Sequence, residues 1–83
     1  MNTTFIFQDE DREFKKAELI VAFTENDRQY IAYELESEKD YPQDVMHFAL
    51  YDEVNGRVFI HKIDPSETEY VKNKLLDILK GNE

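Results

Sequence analysis

Asp64-Pro65-Ser66-Glu67-Thr68-Glu69-Tyr70-Val71-Lys72-Asn73-Lys74-Leu75-Leu76-Asp77-Ile78-Leu79-Lys80-Gly81 is the stretch around which the rest of the chain is organised. Asp64 has the side chain of an N-cap, whose carboxylate accepts amide hydrogens left over at a helix start. Pro65 suits the first helical position, where a missing N–H costs nothing. Glu67, three residues after Asp64, completes a capping-box-like pattern. At the other end Lys80 suits the last turn, and Gly81 can take the left-handed conformation that stops a helix. Val71, Leu75, Ile78 and Leu79 fall on one stripe, widened by Tyr70 and Leu76, while Glu69, Lys72, Asn73, Lys74 and Asp77 form the opposite face. The spacing predicts an amphipathic helix of about 16 residues, about 24 Å long. Such a helix needs an apolar surface, and the residues before it read as strands. The expected fold is therefore α+β: an antiparallel meander of four to five strands with the C-terminal helix packed on one face.

Working back from the helix, Arg57 to Ile63 reads as a strand, preceded by Asn55-Gly56, the strongest hairpin signal in the chain. Val45 to Tyr51 reads as its partner. Ser37 to Asp44, with Tyr41-Pro42, breaks the alternation and reads as a loop. Arg28 to Glu36 and Glu13 to Thr24 read as a hairpin around Asn26-Asp27. That turn sets Ala22 opposite Ile31, Ile20 opposite Tyr33 and Phe23 opposite Tyr30. Thr3 to Gln8 is the first strand, and Asp9-Glu10-Asp11-Arg12 a polar turn.

The strands are apolar on both faces. Ile20, Ala22, Ile31, Tyr33 and Leu35 make one set; Leu19, Val21, Phe23 and Tyr30 make the other, and Val58 and Ile60 oppose Phe59 and Ile63. A sheet with one solvated face alternates more cleanly. Two explanations stand. The sheet curls, so that the first strand and the long loop cover the second face. Alternatively that face is an interface, with Leu19, Val21, Phe23, Tyr30, Val58 and Ile60 as its residues and Tyr41 as a further anchor, the partner being a protein or a second copy in a homodimer.

At 83 residues there is room for one domain, 1–83. Without cysteine, neither a disulfide nor a thiolate metal site staples it. A hydrophobic fraction of 41%, with six Phe and five Tyr, supplies a core and argues against disorder. No apolar run approaches the roughly 18 residues that span a bilayer. The N-terminus lacks a basic region followed by an apolar one, so cytoplasm is the expected location. A net charge of −9 opposes direct binding to nucleic acid or an anionic membrane. It motivates a second reading, an acidic decoy occupying the basic site of a nucleic-acid-binding protein.

Chemistry is sparse. His47 and His61 sit on neighbouring predicted strands, which motivates a third reading, a histidine-dependent metal-binding protein. The Asn55-Gly56 turn, however, sets His61 opposite Leu50 and turns His47 to the other face, so they read as two unrelated sheet histidines. Asp9, Glu10, Asp11, Glu36, Glu38, Asp40 and Asp44 lack the glycine and ligand spacing of a calcium loop. Ser37 and Ser66 are the only serines, and neither sits in a nucleophile elbow. The two glycines punctuate turns rather than cradle a phosphate. No catalytic residue, cofactor or metal is expected. The reading is a non-enzymatic protein-interaction domain that self-associates through the sheet.

The order of segments resembles the YrzB-like family, small acidic bacterial domains of unknown function. The resemblance rests on Thr4-Phe5-Ile6-Phe7-Gln8-Asp9-Glu10-Asp11, on Ala17 to Thr24 with the following Glu25-Asn26-Asp27, on Tyr30-Ile31-Ala32-Tyr33-Glu34-Leu35, and on Asn55-Gly56-Arg57-Val58-Phe59 before Ile63 and the helix. At Arg12 the family often has glycine. The resemblance implies a cytoplasmic bacterial protein with no assigned catalytic residues.

Overall fold

Two turns of the same kind set the strand pairing. Asn26 and Asp27 (φ 54° and 63°), like Asn55 and Gly56 (φ 53° and 82°), lie in the left-handed region. Two such residues in succession make a turn whose twist matches that of the strands it joins. Glu25 accordingly pairs with Arg28, and Val54 with Arg57. In the computed structural model, which describes residues 3–9, 11–38 and 46–81, the strands are β1 (Thr3–Gln8), β2 (Phe14–Glu25), β3 (Arg28–Leu35), β4 (His47–Val54) and β5 (Arg57–His61). A single 3₁₀ turn, Glu36–Glu38, follows β3, and helix α1 spans Thr68–Leu79. The expected loop falls mostly outside the described residues, as does Val45.

The sheet closes. β1 to β5 are hydrogen-bonded in chain order, and β1 also pairs with β5 in parallel at Phe7↔Val58 and Gln8↔Phe59. The result is a small five-stranded barrel with a helix on its outside. The sheet curls, as the first explanation for two-sided strands has it; most of the long loop that explanation also invokes lies outside the described residues.

The expected register holds at Ala22↔Ile31 and Phe23↔Tyr30 and fails at Ile20. A bulge between Leu19 and Val21 puts Leu19, not Ile20, opposite Tyr33. An extra residue in one strand shifts every side chain beyond it to the other face. Leu19 therefore joins Phe5, Phe7, Ala17, Ile31 and Tyr33 inside the barrel. Ile20 joins Val21 and Phe23 under the helix. The barrel interior is narrow, and Ala17 and Ala49 leave room for rings. Phe7 meets Tyr33 edge-on at 5.7 Å, and Phe5 meets Tyr51 edge-on at 5.8 Å.

The second layer is α1 on β2 and β3. Val71 and Leu75 are fully buried, among Tyr30, Ala32 and Ile63. The expected stripe is longer than the buried one, because Ile78 and Leu79 remain 37% and 44% exposed. The helix also begins later than expected. Asp64 Oδ1 accepts from Ser66 N at 2.9 Å, and Glu67 N donates to Asp64 O at 2.8 Å. Asp64 thus caps a turn through Pro65 and Ser66, and the helical bonds start with Val71 N to Glu67 O. Gly81, at φ 81°, ends the helix as its position suggests. Polar bonds hold the lid in place: Tyr30 Oη donates to Glu67 at 3.0 Å, and Lys74 Nζ and Tyr70 Oη both donate to Glu25 Oε1, at 2.8 and 2.9 Å.

Two substitutions test this account. Leu75→Ala should lower the unfolding free energy by about 2–5 kcal/mol, whereas Ile78→Ala should cost under about 1 kcal/mol. Equal losses in urea titrations would contradict the short buried stripe. Arg12 holds φ 64° in the first turn. Glycine takes that conformation without steric cost, so Arg12→Gly should raise stability by about 0.5–1 kcal/mol in the same titration.

Candidate functional site

The residues expected to form one exposed face are divided between the two packed layers. Val21, Phe23 and Tyr30 pack beneath α1, with Tyr30 only 5% exposed. Leu19, Val58 and Ile60 pack against the barrel interior. Alternation grouped them, and the bulge and barrel closure separate them. Tyr41 lies outside the described residues.

The histidines are apart. His47 stacks on Tyr33 with ring centroids 5.2 Å apart and meets Glu38 Oε1 through Nε2 at 2.7 Å. His61 pairs with Leu50, as the turn predicts, and sits 4.0 Å from Asp52 at the surface. Among the described residues no group of three His, Cys, Asp or Glu side chains is placed to hold a metal ion.

Asp9 is committed to its turn. Its Oδ1 accepts from the amides of Asp11 and Glu13, both at 2.9 Å, and Oδ2 is 3.2 Å from Lys15 Nζ. The bond from Glu13 is the main reason its carboxyl lies below the usual range. Asp9 lines one wall of a cleft of about 320 Å³ at the end of the barrel, with Phe7, Tyr33, Ile60, His61 and Lys62. Burial, with Glu38 nearby, pushes the Tyr33 phenol up.

The feature that the packed layers do not explain lies on the outer surface of β1, β2 and β5. Gln8 pairs with Phe14 on one side and Phe59 on the other, making a row across three strands. In the next row Ile6 pairs with Lys16. Phe14 is 72% exposed and Ile6 58%. Ile6, Gln8, Phe14, Gly56, Arg57 and Phe59 line one shallow groove there. Two large apolar side chains this exposed on neighbouring strands form a patch of the kind that marks contact surfaces. The signal for it was present in the sequence. On β2 the alternation puts Phe14 in line with the charged Lys16 and with Glu18, although Glu18 itself is buried, while Ala17 and Leu19 point inward.

No family model, no curated protein and no solved structure matches the chain. No helix among the described residues is long and apolar enough to cross a membrane.

The perturbed carboxyls serve turns and the helix lid, which fixes their pH signature. Lys74 and Tyr70 hold the Glu25 carboxyl below its usual 4.5, and the Ser66 bonds hold Asp64 below its usual 3.8. A folded-state pKa below the unfolded value contributes stability above the unfolded value, which is lost as pH falls through the folded one. Urea midpoints should be level from about pH 7 to 5 and fall below about pH 4. Glu25→Gln should flatten part of that fall, and an unchanged profile would show that the contact with Lys74 and Tyr70 is not formed in solution.

Proposed function

We propose that this chain is a non-enzymatic protein-interaction domain whose contact surface is the outer β1–β5 face. The observation that carries the reading is the groove around Ile6, Phe14 and Phe59, which brings together the two most exposed large apolar side chains among the described residues, Phe14 and Ile6. The outer face replaces the one that alternation suggests, whose residues pack within the two layers. The geometry of the titratable groups agrees, since Asp9, Glu25 and Asp64 are engaged in turn and lid bonds. The resemblance to the YrzB-like family is consistent with this, because it implies no catalytic residues.

The reading separates from the acidic-decoy reading by salt. An apolar contact holds or tightens as salt is added, while a contact made by net charge weakens steeply. The test is affinity capture with the tagged full chain from an extract of its source, at low and high salt, beside the variant Ile6→Asp/Phe14→Asp. Both positions are exposed, so the variant should keep its fold, as circular dichroism would verify. A chain retained at high salt by the wild type and lost from the variant is the expected result. A basic protein held equally by both and released by salt would reverse the ranking in favour of the decoy.

A further inference from the structure

We propose that Thr3–Ile6 of β1 pairs with the same segment of a second copy of this chain, strand to strand across a two-fold axis. The proposal rests on the interaction reading above and names its partner and its mode.

Barrel closure is incomplete on this side. β2 pairs with every residue of β1, whereas β5 pairs only with Phe7 and Gln8. β5 begins at Arg57, and among the described residues none of Thr3–Ile6 has a strand partner on the side away from β2. A strand open on one side presents unpaired amides and carbonyls, which a strand from another chain can satisfy. Proteins usually guard such an edge with charges, proline or a bulge. This edge has none of them: Thr3-Thr4-Phe5-Ile6-Phe7-Gln8 is uncharged in a chain that is 35% charged, and its pairing with β2 is regular throughout. Ile6, on the outer face of that edge, is more than half exposed.

Charge and symmetry favour a copy as the occupant. An edge that pairs antiparallel with itself makes an isologous contact, which closes as a dimer instead of growing into a fibre. A chain of net charge −9 repels its copy wherever acids dominate. That repulsion is least at an uncharged segment with cations beside it. Lys16 lies directly across from Ile6, and Arg57 lines the same groove, while Glu18, across from Thr4, is buried. Neither is in an ion pair among the described residues, so both are available to offset the approach of an acidic copy.

The test is sedimentation velocity of the full chain from low to high micromolar concentration, at low and high salt. Wild type should pass from monomer to dimer as concentration rises. Its dissociation constant should fall with salt, because screening weakens the repulsion between like-charged chains. Thr4→Lys, at an exposed position on the edge, should raise that constant about tenfold or more, while Leu79→Ser, at an exposed position near the end of α1, should shift it less than about threefold. Hydrogen exchange of the wild type supplies a readout that needs no variant: amides within Thr3–Ile6 should gain protection as concentration rises. A chain that stays monomeric at high micromolar concentration overturns the proposal. So does a dimer that Thr4→Lys leaves intact with no concentration-dependent protection of that segment. A monomer that still retains a salt-resistant partner through Ile6 and Phe14 would remove the strand pairing and leave the interaction reading standing.

Discussion

β2 has to serve two cores, and the bulge at Ile20 is how it does so. Its first half lines the barrel through Ala17 and Leu19. Its second half supplies Val21 and Phe23 to the layer under α1 while Ala22 still faces inward. A regular strand would leave Leu19 and Val21 on one face. The irregularity between Leu19 and Val21 sends them to different faces without interrupting the pairing to β3. A bulge also bends and twists the strand that carries it. Such bending suits a sheet of only five strands that must curl far enough for β1 to meet β5. The barrel and the seat for the helix both follow from how β2 is bent.

Local chemistry was legible in the sequence where it is decided by neighbouring residues. Asn26-Asp27 and Asn55-Gly56 carry the residue types that accept left-handed conformations, so both hairpins and the pairing of Leu50 with His61 could be read directly. The helix could be read from its stripe and its terminal glycine. The bulge could not. Ile20 sits in an unbroken aliphatic run with no glycine, proline or turn residue to mark it, and its position depends on which side chains fit the barrel. Closure was illegible for a different reason. It rests on Phe7↔Val58 and Gln8↔Phe59, two pairings about fifty residues apart in the chain, and no local pattern encodes contact at that separation. Asp64 shows a third kind of limit. A carboxylate that accepts the amide two residues on caps a turn as readily as a helix, so the same residue is consistent with either start.

The candidate surface was half legible. Phe14 stands in the outward register with the exposed Lys16, which marks it once the register is known. Ile6 lies between Phe5 and Phe7, and nothing in that run distinguishes an inward ring from an outward isoleucine until β1 is placed on β2. The face that alternation did suggest, Val21, Phe23 and Tyr30, is apolar because the helix needs it to be.

The helix seat and the groove, two regions of the barrel's outer surface, are therefore independent in their work. α1 is held by Val71 and Leu75, fully buried apolar groups worth about 1.5–3 kcal/mol each relative to exposure. The polar bonds among Glu25, Tyr70 and Lys74 orient it at the surface, where exposed ion pairs contribute little. None of these groups touches the groove around Ile6, Phe14 and Phe59. A partner bound there would neither displace the lid nor open the barrel. Substitution at Ile6 or Phe14 should accordingly separate recognition from stability, a separation that the buried residues of either core do not permit.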